Sequence, residues 1–293
     1  GNYFMERLGV VFDREIGSAP GRQRGQILVE AEALTNDAPS GSQYDSGDFP
    51  AVLERAVAEA DWNGYAERKR DSAKRGKLRG RGIGCYLEVT APPNKEMGGI
   101  RFEADGTVTF ITGTLDYGQG HATPMAQVLS ERLGIPFDRF RLLQGDSDEL
   151  IAGGGTGGSR SGYASSAAAV EAAGLVIEKG KQIASHVLEA SSSDIEFHGG
   201  RFVISGTDRS VGLLELADKL RSGLALPAEV PATLDVKHAT EPLPSAYPNG
   251  CHVAEVEIEP ETGDIEVVRY VMVNDFGTLI NPLLVEGQLH GGI

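Results

Sequence analysis

Two glycine-rich stretches constrain the fold of this 293-residue chain more than any other feature: Gly118-Gln119-Gly120, and the run from Gly153 to Ser161. A segment of strand character precedes each stretch, and a segment with helical spacing of apolar residues or alanine follows it. The strand segments are 107–112 and 140–143, and the helical segments are 124–133 and 165–181. The chain therefore predicts strand, loop and helix in that order, twice.

Glycine-rich loops that open onto a helix are suited to binding anions. Glycine lets the backbone approach a ligand closely, and the first N–H groups of a helix have no partner within the helix. Two such sites suit a long ligand with internal phosphates, such as a dinucleotide. Side-chain donors beside the loops are Gln119, His121, Thr123, Ser159, Arg160 and Ser161. The alternative is that the glycines only make tight turns, and neither loop matches a Walker A or Rossmann fingerprint.

A hairpin followed by a loop and a helix occurs twice, around 99–133 and 253–290. In each copy, turn residues separate the two strand-like segments of the hairpin: Asp105-Gly106 in the first copy and Thr262-Gly263 in the second. The recurrence predicts an α+β fold of two related α/β units, with hairpin-containing mixed sheets and flanking helices, that share a ligand cleft. The predicted division is N-terminal helices and a long connection over 1–75, a first unit over 76–235 and the start of a second unit over 236–293.

Three motifs give a more specific indication. They are YGQGHAT at 117–123 with GDSD at 145–148, GTGGSRS at 155–161, and a late segment with NDFG at 274–277, INP at 280–282, VEGQ at 285–288 and Gly291-Gly292. In order and spacing they resemble the molybdenum-binding large subunit of the xanthine dehydrogenase, aldehyde oxidase and aerobic carbon monoxide dehydrogenase family. The resemblance covers nearly the whole chain and indicates a fragment of that subunit's second molybdopterin-binding domain.

The resemblance implies an oxidoreductase that hydroxylates an aldehyde, an aromatic heterocycle or carbon monoxide with water as the oxygen donor. Its molybdenum would be held by molybdopterin, often as the cytosine dinucleotide, and no protein side chain would bind the metal. Iron–sulfur clusters and FAD on partner subunits would take the electrons. The full enzyme would be a homodimer of heterotrimers acting on a small-molecule substrate, and the shared cleft would hold the cofactor.

By position, the resemblance also assigns the residues that contact the cofactor. Those for the pterin and its phosphate are Gly118, Gln119, Gly120, His121 and Thr123. Those for the diphosphate are Gly158, Ser159, Arg160 and Ser161. Those for the nucleotide end are Asp275, Asn281 and Gln288. Two alternatives stay open: His121 as a structural cap of the turn, and Arg160 as the partner of a carboxylate such as Asp146.

The charge of the chain limits its partners. The net charge of −15, from 27 basic and 42 acidic residues, argues against a nucleic-acid surface or an anionic membrane surface. Bound phosphates would therefore need local donors. Cys85 and Cys251 are too few and too far apart for a disulfide framework or a metal motif. With no apolar run of spanning length and no secretory signal at the start, a cytoplasmic protein is expected.

The N-terminal part of the sequence predicts helices and a basic surface. A helix is expected over 3–15 and a short extended piece over 27–29, and another helix is expected after Asp48, a good N-cap, with Pro50 in its first turn. The basic stretch 65–81 is expected to be a solvated helix face. Its alternative role is to dock an acidic partner subunit.

The end of the chain bears on catalysis. The chain stops at Ile293, before the Gly-x-Gly-Glu segment that carries the family's catalytic glutamate. No catalytic residue is therefore predicted within it, and on its own it is expected not to turn over substrate. The rival interpretation is a non-catalytic module that binds the cofactor or docks onto another subunit.

Overall fold

A computed structural model of the chain describes residues 36–37, 41–44, 46–90 and 94–293. The predicted helix over 3–15 and extended piece over 27–29 lie outside the described residues. The strands are β1 (Asn36–Asp37), β2 (Gln43–Tyr44), β3 (Leu78–Leu87), β4 (Met97–Phe102), β5 (Val108–Thr112), β6 (Phe140–Gln144), β7 (Ile195–His198), β8 (Arg201–Ile204), β9 (Ser210–Gly212), β10 (Val236–Ala239), β11 (Asn249–Ile258) and β12 (Ile265–Asp275). The α-helices are α1 (Phe49–Glu59), α2 (Tyr65–Lys74), α3 (Ala122–Leu133), α4 (Ser161–Leu188), α5 (Leu213–Arg221) and α6 (Pro282–Gly292).

The chain forms two compact units, and each unit combines two stretches of the sequence. Unit 1 contains Gly1–Val89 and Ala246–Thr278, and unit 2 contains Thr90–Ser245 and Leu279–Ile293. These bounds differ from the predicted division because β3 pairs with the distant β11 along its whole length. How the chain divides into the family's domains stays a prediction.

Unit 1 is an antiparallel sheet in the order β12–β11–β3, with α1 packed against β11 and β12. The residues buried in its core are Leu53, Ala56, Ala60, Cys251 and Val253. The predicted start of α1 is confirmed: Asp48 accepts a hydrogen bond from the Ala51 N–H at 3.0 Å, and Pro50 lies in the first turn. Both features end the preceding connection and fix where the helix begins.

The basic stretch 65–81 is divided between α2 and β3, and two of its arginines point inward. The Nε atoms of Arg68 and Arg79 donate to Glu255 at 3.1 and 2.8 Å, and Arg79 also donates to Glu257 at 3.0 Å. Both glutamates are buried on β11, and buried carboxylates need charged partners. The expectation of a single solvated helix face is therefore wrong, and docking of a partner subunit stays a prediction.

Unit 2 is built on a four-stranded sheet in the order β10–β4–β5–β6. The predicted hairpin of β4 and β5 is confirmed, and α3 connects β5 to its parallel neighbour β6. The 28-residue α4 packs against β4 and β10. Gly98 allows this packing, since a Cβ there would lie 2.2 Å from the carbonyl oxygen of Ala168.

The rest of unit 2 is a three-stranded antiparallel sheet, β7–β8–β9, with α5 after it. Phe202 of this sheet is fully buried and its ring lies against Gly180 of α4. The main buried side chains of unit 2 are Ile100, Phe110, Leu129, Leu133, Val176, Ile183, Phe202, Leu213, Leu216 and Leu234. Antiparallel and mixed sheets with packed helices confirm the predicted α+β class.

Candidate functional site

The two glycine-rich loops of unit 2 begin at neighbouring strands. The first loop, residues 113–121, follows β5, and the second loop, residues 145–160, follows β6. Because β5 and β6 are parallel neighbours, both loops leave the carboxyl edge of the sheet, where open α/β sheets bind ligands. α3 follows the first loop and α4 follows the second, so the predicted order of strand, loop and helix is confirmed at both.

Several contacts join the first loop to the second. The N–H of Gly155 donates to the carbonyl oxygen of Gly113 at 3.1 Å. The hydroxyl of Thr156 accepts from the Leu115 N–H at 2.9 Å and donates to the Leu115 carbonyl oxygen at 2.6 Å. Gly113 and Gly153 are so close that a Cβ on either would lie 2.6 Å from the Cα of the other. The two loops therefore form one continuous surface.

The first loop folds around the carboxylate of Asp116. This carboxylate accepts hydrogen bonds from the N–H groups of Gly118 at 2.8 Å, Gly120 at 3.1 Å and His121 at 2.8 Å. Burial alone would raise the pKa of Asp116, but these hydrogen bonds bring it below its ordinary value. The loop's own carboxylate therefore occupies the N–H groups of Gly118, Gly120 and His121.

The second loop ends at the N-terminus of α4. Gly158 and Ser159 have left-handed backbone angles, with φ of +62° and +56°, which turn the chain into the helix. The N–H groups of Ser161 and Gly162 have no acceptor among the residues that the structure describes. A Cβ placed on Gly157 would meet no atom within 4 Å. Two unpaired amides at the positive end of a long helix, with open space beside them, fit a phosphate group.

Arg160 braces the second loop. Its Nη2 donates to the carbonyl oxygen of Gly154 at 2.7 Å. The alternative in which Arg160 pairs with Asp146 is wrong: the side-chain hydrogen bonds of Arg160 to described residues go to the carbonyl oxygens of Gly154 and Gly155, and Asp146 instead accepts from the N–H of Asp148 at 3.0 Å within a turn. The other guanidinium N–H groups of Arg160 have no strong acceptor in the described part of the chain, so they stay available to a ligand.

His121 is buried where the first loop meets the end of β6. Its Nδ1 lies 3.2 Å from Nε2 of Gln144, which also donates to Thr114 at 2.9 Å. Burial lowers the pKa of His121, and the nearby Asp116 opposes this effect. The cap alternative is wrong, because the His121 side chain makes no capping hydrogen bond to α3.

The other two residues predicted in the first motif are half-buried beside the loop. The side-chain oxygen of Gln119 accepts from the N–H of Tyr117, which leaves its NH2 group for a ligand. The N–H of Thr123 reaches the carbonyl oxygen of Gly120 at 3.3 Å. These contacts place Gln119 and Thr123 on the same surface as His121.

Asn281 connects the late motif to this surface. Its Oδ1 caps α6 by accepting from the Leu284 N–H at 3.0 Å, and its Nδ2 donates to Gln127 of α3 at 2.8 Å. Leu284 lies beside the first loop, since a Cβ on Gly120 would be 3.2 Å from its side chain. Asn281 therefore lies within unit 2 near the first loop.

The other two predicted residues of the late motif are placed differently. Gln288 is exposed on α6 of unit 2. Asp275 ends β12 in unit 1, where it accepts from the N–H of Gly277 at 2.9 Å. Within unit 2 the structure thus joins the first two motifs and Asn281, and Asp275 belongs to the other unit.

Sequence reasoning missed four residues that shape this surface. Asp116 and Thr156 have the contacts given above, and Gln144 orients His121. The fourth, Glu96, is buried and accepts from the Gly113 N–H at 2.7 Å. An aspartate two residues before a glycine is a signal for a turn and points to Asp116. The other three act on partners far along the chain, and a single sequence carries no signal for them.

No group of three or more His, Cys, Asp and Glu side chains within 36–37, 41–44, 46–90 and 94–293 is arranged to hold a metal ion. In the same ranges, no helix is long and apolar enough to cross a membrane.

Comparison with known proteins decides the family. The model of the molybdopterin cofactor-binding domain matches residues 55–293. The chain belongs to this family. It is 33% identical over 312 residues to the carbon monoxide dehydrogenase large chain of Afipia carboxidovorans, covering 99% of this chain and 38% of that protein. It is 29% identical over 294 residues to the nicotine 6-hydroxylase large subunit of Paenarthrobacter nicotinovorans, covering 96% of this chain and 36% of that protein.

Solved structures agree with this membership. A Cu,Mo-containing carbon monoxide dehydrogenase matches with a TM-score of 0.87 at 29% identity, over 99% of this chain and 39% of that one. Quinoline 2-oxidoreductase from Pseudomonas putida 86 matches with a TM-score of 0.86 at 27% identity, over 98% of this chain and 38% of that one. The chain therefore spans well under half the length of the relatives it matches.

Proposed function

We propose that this chain binds molybdopterin as the cytosine dinucleotide across the first and second loops. The observation that carries the proposal is the pair of unpaired N–H groups of Ser161 and Gly162, beside a loop that is joined to the first. In a chain of net charge −15, a diphosphate needs such local donors. The donor set of this surface consists of amides, hydroxyls and one guanidinium, which suits phosphate oxygens.

The diphosphate is held by the N-terminus of α4. The residues proposed for it are Gly158, Ser159, Arg160 and Ser161. The Ser161 hydroxyl lies 2.8 Å from that of Thr156, so the main contribution of Ser161 is its backbone N–H. Arg160 adds its remaining guanidinium donors, which are suited to two phosphate oxygens at once.

The pterin lies over the first loop and the nucleotide over the late motif. The residues proposed for the pterin are Gly118, Gln119, Gly120, His121 and Thr123, and those for the nucleotide end are Asp275, Asn281 and Gln288. Because Asp116 occupies three amides of the first loop, the contacts there come from side chains and carbonyl groups. The Gln119 NH2 group and the His121 ring are the principal donors.

For the whole protein we propose oxidation of an aldehyde, a heterocycle or carbon monoxide with water, in the cytoplasm. Relatives named carbon monoxide dehydrogenase and nicotine 6-hydroxylase support this range of substrates. When bound, the cofactor supplies a molybdenum redox centre, and the residues of this chain bind and orient it. Iron–sulfur and FAD-containing subunits are proposed as the partners that accept electrons, in a homodimer of heterotrimers.

The test uses the natural full-length protein and the variant Arg160→Ala. Molybdenum and released cytidine nucleotide are measured per protomer, with thermal unfolding of the cofactor-free protein. Loss of a charged hydrogen bond weakens binding roughly ten- to a hundredfold, and Arg160→Lys restores part of it. Arg139→Ala is the matched control, since Arg139 precedes β6 at the other end of the sheet.

Three results would contradict the proposal. Wild-type cofactor content in Arg160→Ala would remove Arg160 from the phosphate site. If cofactor-free Arg160→Ala melts far below the cofactor-free wild type, the role of Arg160 is to stabilise the second loop and not to bind phosphate. Absence of molybdenum and cytidine nucleotide from the wild-type protein would overturn cofactor binding itself, leaving a docking module.

A further inference from the structure

Gln144 holds the ring of His121 from one side. Its Nε2 lies 3.2 Å from Nδ1 of His121 and 2.9 Å from the hydroxyl oxygen of Thr114. A carboxamide NH2 group has two hydrogens, one for each of these acceptors. Thr114 and His121 are both buried, so water does not compete strongly for either bond.

This contact decides which nitrogen of His121 carries the proton. A neutral imidazole has one donor and one acceptor nitrogen. If Nδ1 accepts from Gln144, the proton is on Nε2. Burial lowers the pKa of His121 in spite of the neighbouring Asp116, so the ring is neutral near pH 7.

Nε2 of His121 faces no acceptor among the residues that the structure describes. The backbone of His121 is fixed as well, because its N–H donates to Asp116 at 2.8 Å. A ring held on its backbone side and at Nδ1 has one group left for a ligand, the Nε2–H.

We propose that Gln144 is a positioning residue that fixes His121 in the Nε2–H tautomer, so that His121 offers a neutral hydrogen-bond donor to the bound cofactor. This inference rests on the proposed function and extends it to a residue outside all three motifs. A neutral donor binds an oxygen or nitrogen acceptor of the pterin without adding charge beside the Asp116 carboxylate.

The tautomer is measured in the full chain with 15N-labelled histidine, by long-range 1H–15N correlation. His121→Gln assigns the signal among the six histidines. The wild type is expected to show Nε2–H. Gln144→Glu places a carboxylate at Nδ1, which moves the proton of the neutral ring to Nδ1. Because the carboxylate also raises the pKa of His121, the tautomer and the cofactor retention of this variant are measured above that pKa, where the ring is neutral. Thr114→Val is the control, because it removes the other bond of the same carboxamide and leaves the tautomer unchanged.

Cofactor retention is the second readout, measured as molybdenum per protomer of the natural full-length protein. Loss of one neutral donor weakens retention roughly three- to tenfold in Gln144→Glu, and Thr114→Val retains the wild-type content. An Nδ1–H tautomer in the wild type, or full retention in Gln144→Glu after its tautomer has changed, would overturn the role of Gln144. Absence of cofactor from the wild type would instead overturn the proposed function.

Discussion

Replacing Arg79 with methionine tests whether buried charge pairing holds unit 1 together. The Arg79 side chain is 9% exposed and donates to Glu255, whose side chain is 1% exposed, and to Glu257. Methionine retains most of the apolar stem and removes the cation. Both carboxylates then lose a partner while they stay buried, and water cannot replace the lost bonds.

The expected loss follows from the geometry of this network. Removing one partner of a buried ion pair costs about 3–5 kcal/mol. Arg68 remains bonded to Glu255, so we expect the lower end, about 3 kcal/mol. Arg75→Met is the matched control: Arg75 also pairs with Glu257, but its side chain is 58% exposed, and exposed pairs contribute far less to stability.

The assay uses the only tryptophan of the chain, Trp62. It lies in unit 1, with the guanidinium carbon of Arg81 3.5 Å from its ring centroid, so its fluorescence during urea unfolding reports on unit 1. Arg79→Met is expected to lower the urea midpoint strongly and Arg75→Met slightly. Similar urea midpoints for the two variants would refute the argument that burial determines how much each ion pair contributes to stability.

Other predictions concern pH and packing. Burial would raise the pKa of Glu255, but hydrogen bonds from arginine lower it below its ordinary value of 4.5. Acidification through and below that value should therefore destabilise unit 1 and lower the urea midpoint that Trp62 fluorescence reports. Gly180→Ala places a Cβ 2.1 Å from the Phe202 ring and should cost about 1–3 kcal/mol in thermal unfolding. Gly174→Ala on the exposed side of the same helix should instead stabilise it by about 0.5–1 kcal/mol. A urea midpoint that does not change with acidification would contradict the pH prediction. Equal melting temperatures for Gly180→Ala and Gly174→Ala would contradict the two packing predictions.

Local signals predicted the parts of the fold that depend on neighbours in sequence. Asp48 and Pro50 marked the start of α1 because a cap and a fixed φ act within one turn. The order of strand, loop and helix at both glycine-rich loops followed from spacing alone, and so did the hairpin of β4 and β5. The order and spacing of the three motifs were sufficient to identify the family.

The missing parts depend on partners far along the chain. Arg68 and Arg79 looked solvated because their partner Glu255 is more than 170 residues away. Asp116 is the exception, because its partners Gly118, Gly120 and His121 are only two to five residues away. The turn signal indicates this aspartate, but the sequence does not show that one carboxylate accepts from three amides of its own loop. The role of Gln144 depends on the parallel pairing of β5 and β6, which the sequence does not reveal.

Unit 1 is formed by two stretches of the sequence with most of unit 2 between them, so its two parts are synthesised at different times. Glu255 follows Arg79 by 176 residues, and the whole four-stranded sheet of unit 2 is encoded between them. On the ribosome, β3 emerges long before β11 exists to pair with it, whereas β4, β5 and β6 of unit 2 emerge within about 50 residues of one another. Unit 1 can therefore close around its buried charges only after the whole four-stranded sheet of unit 2 has been synthesised.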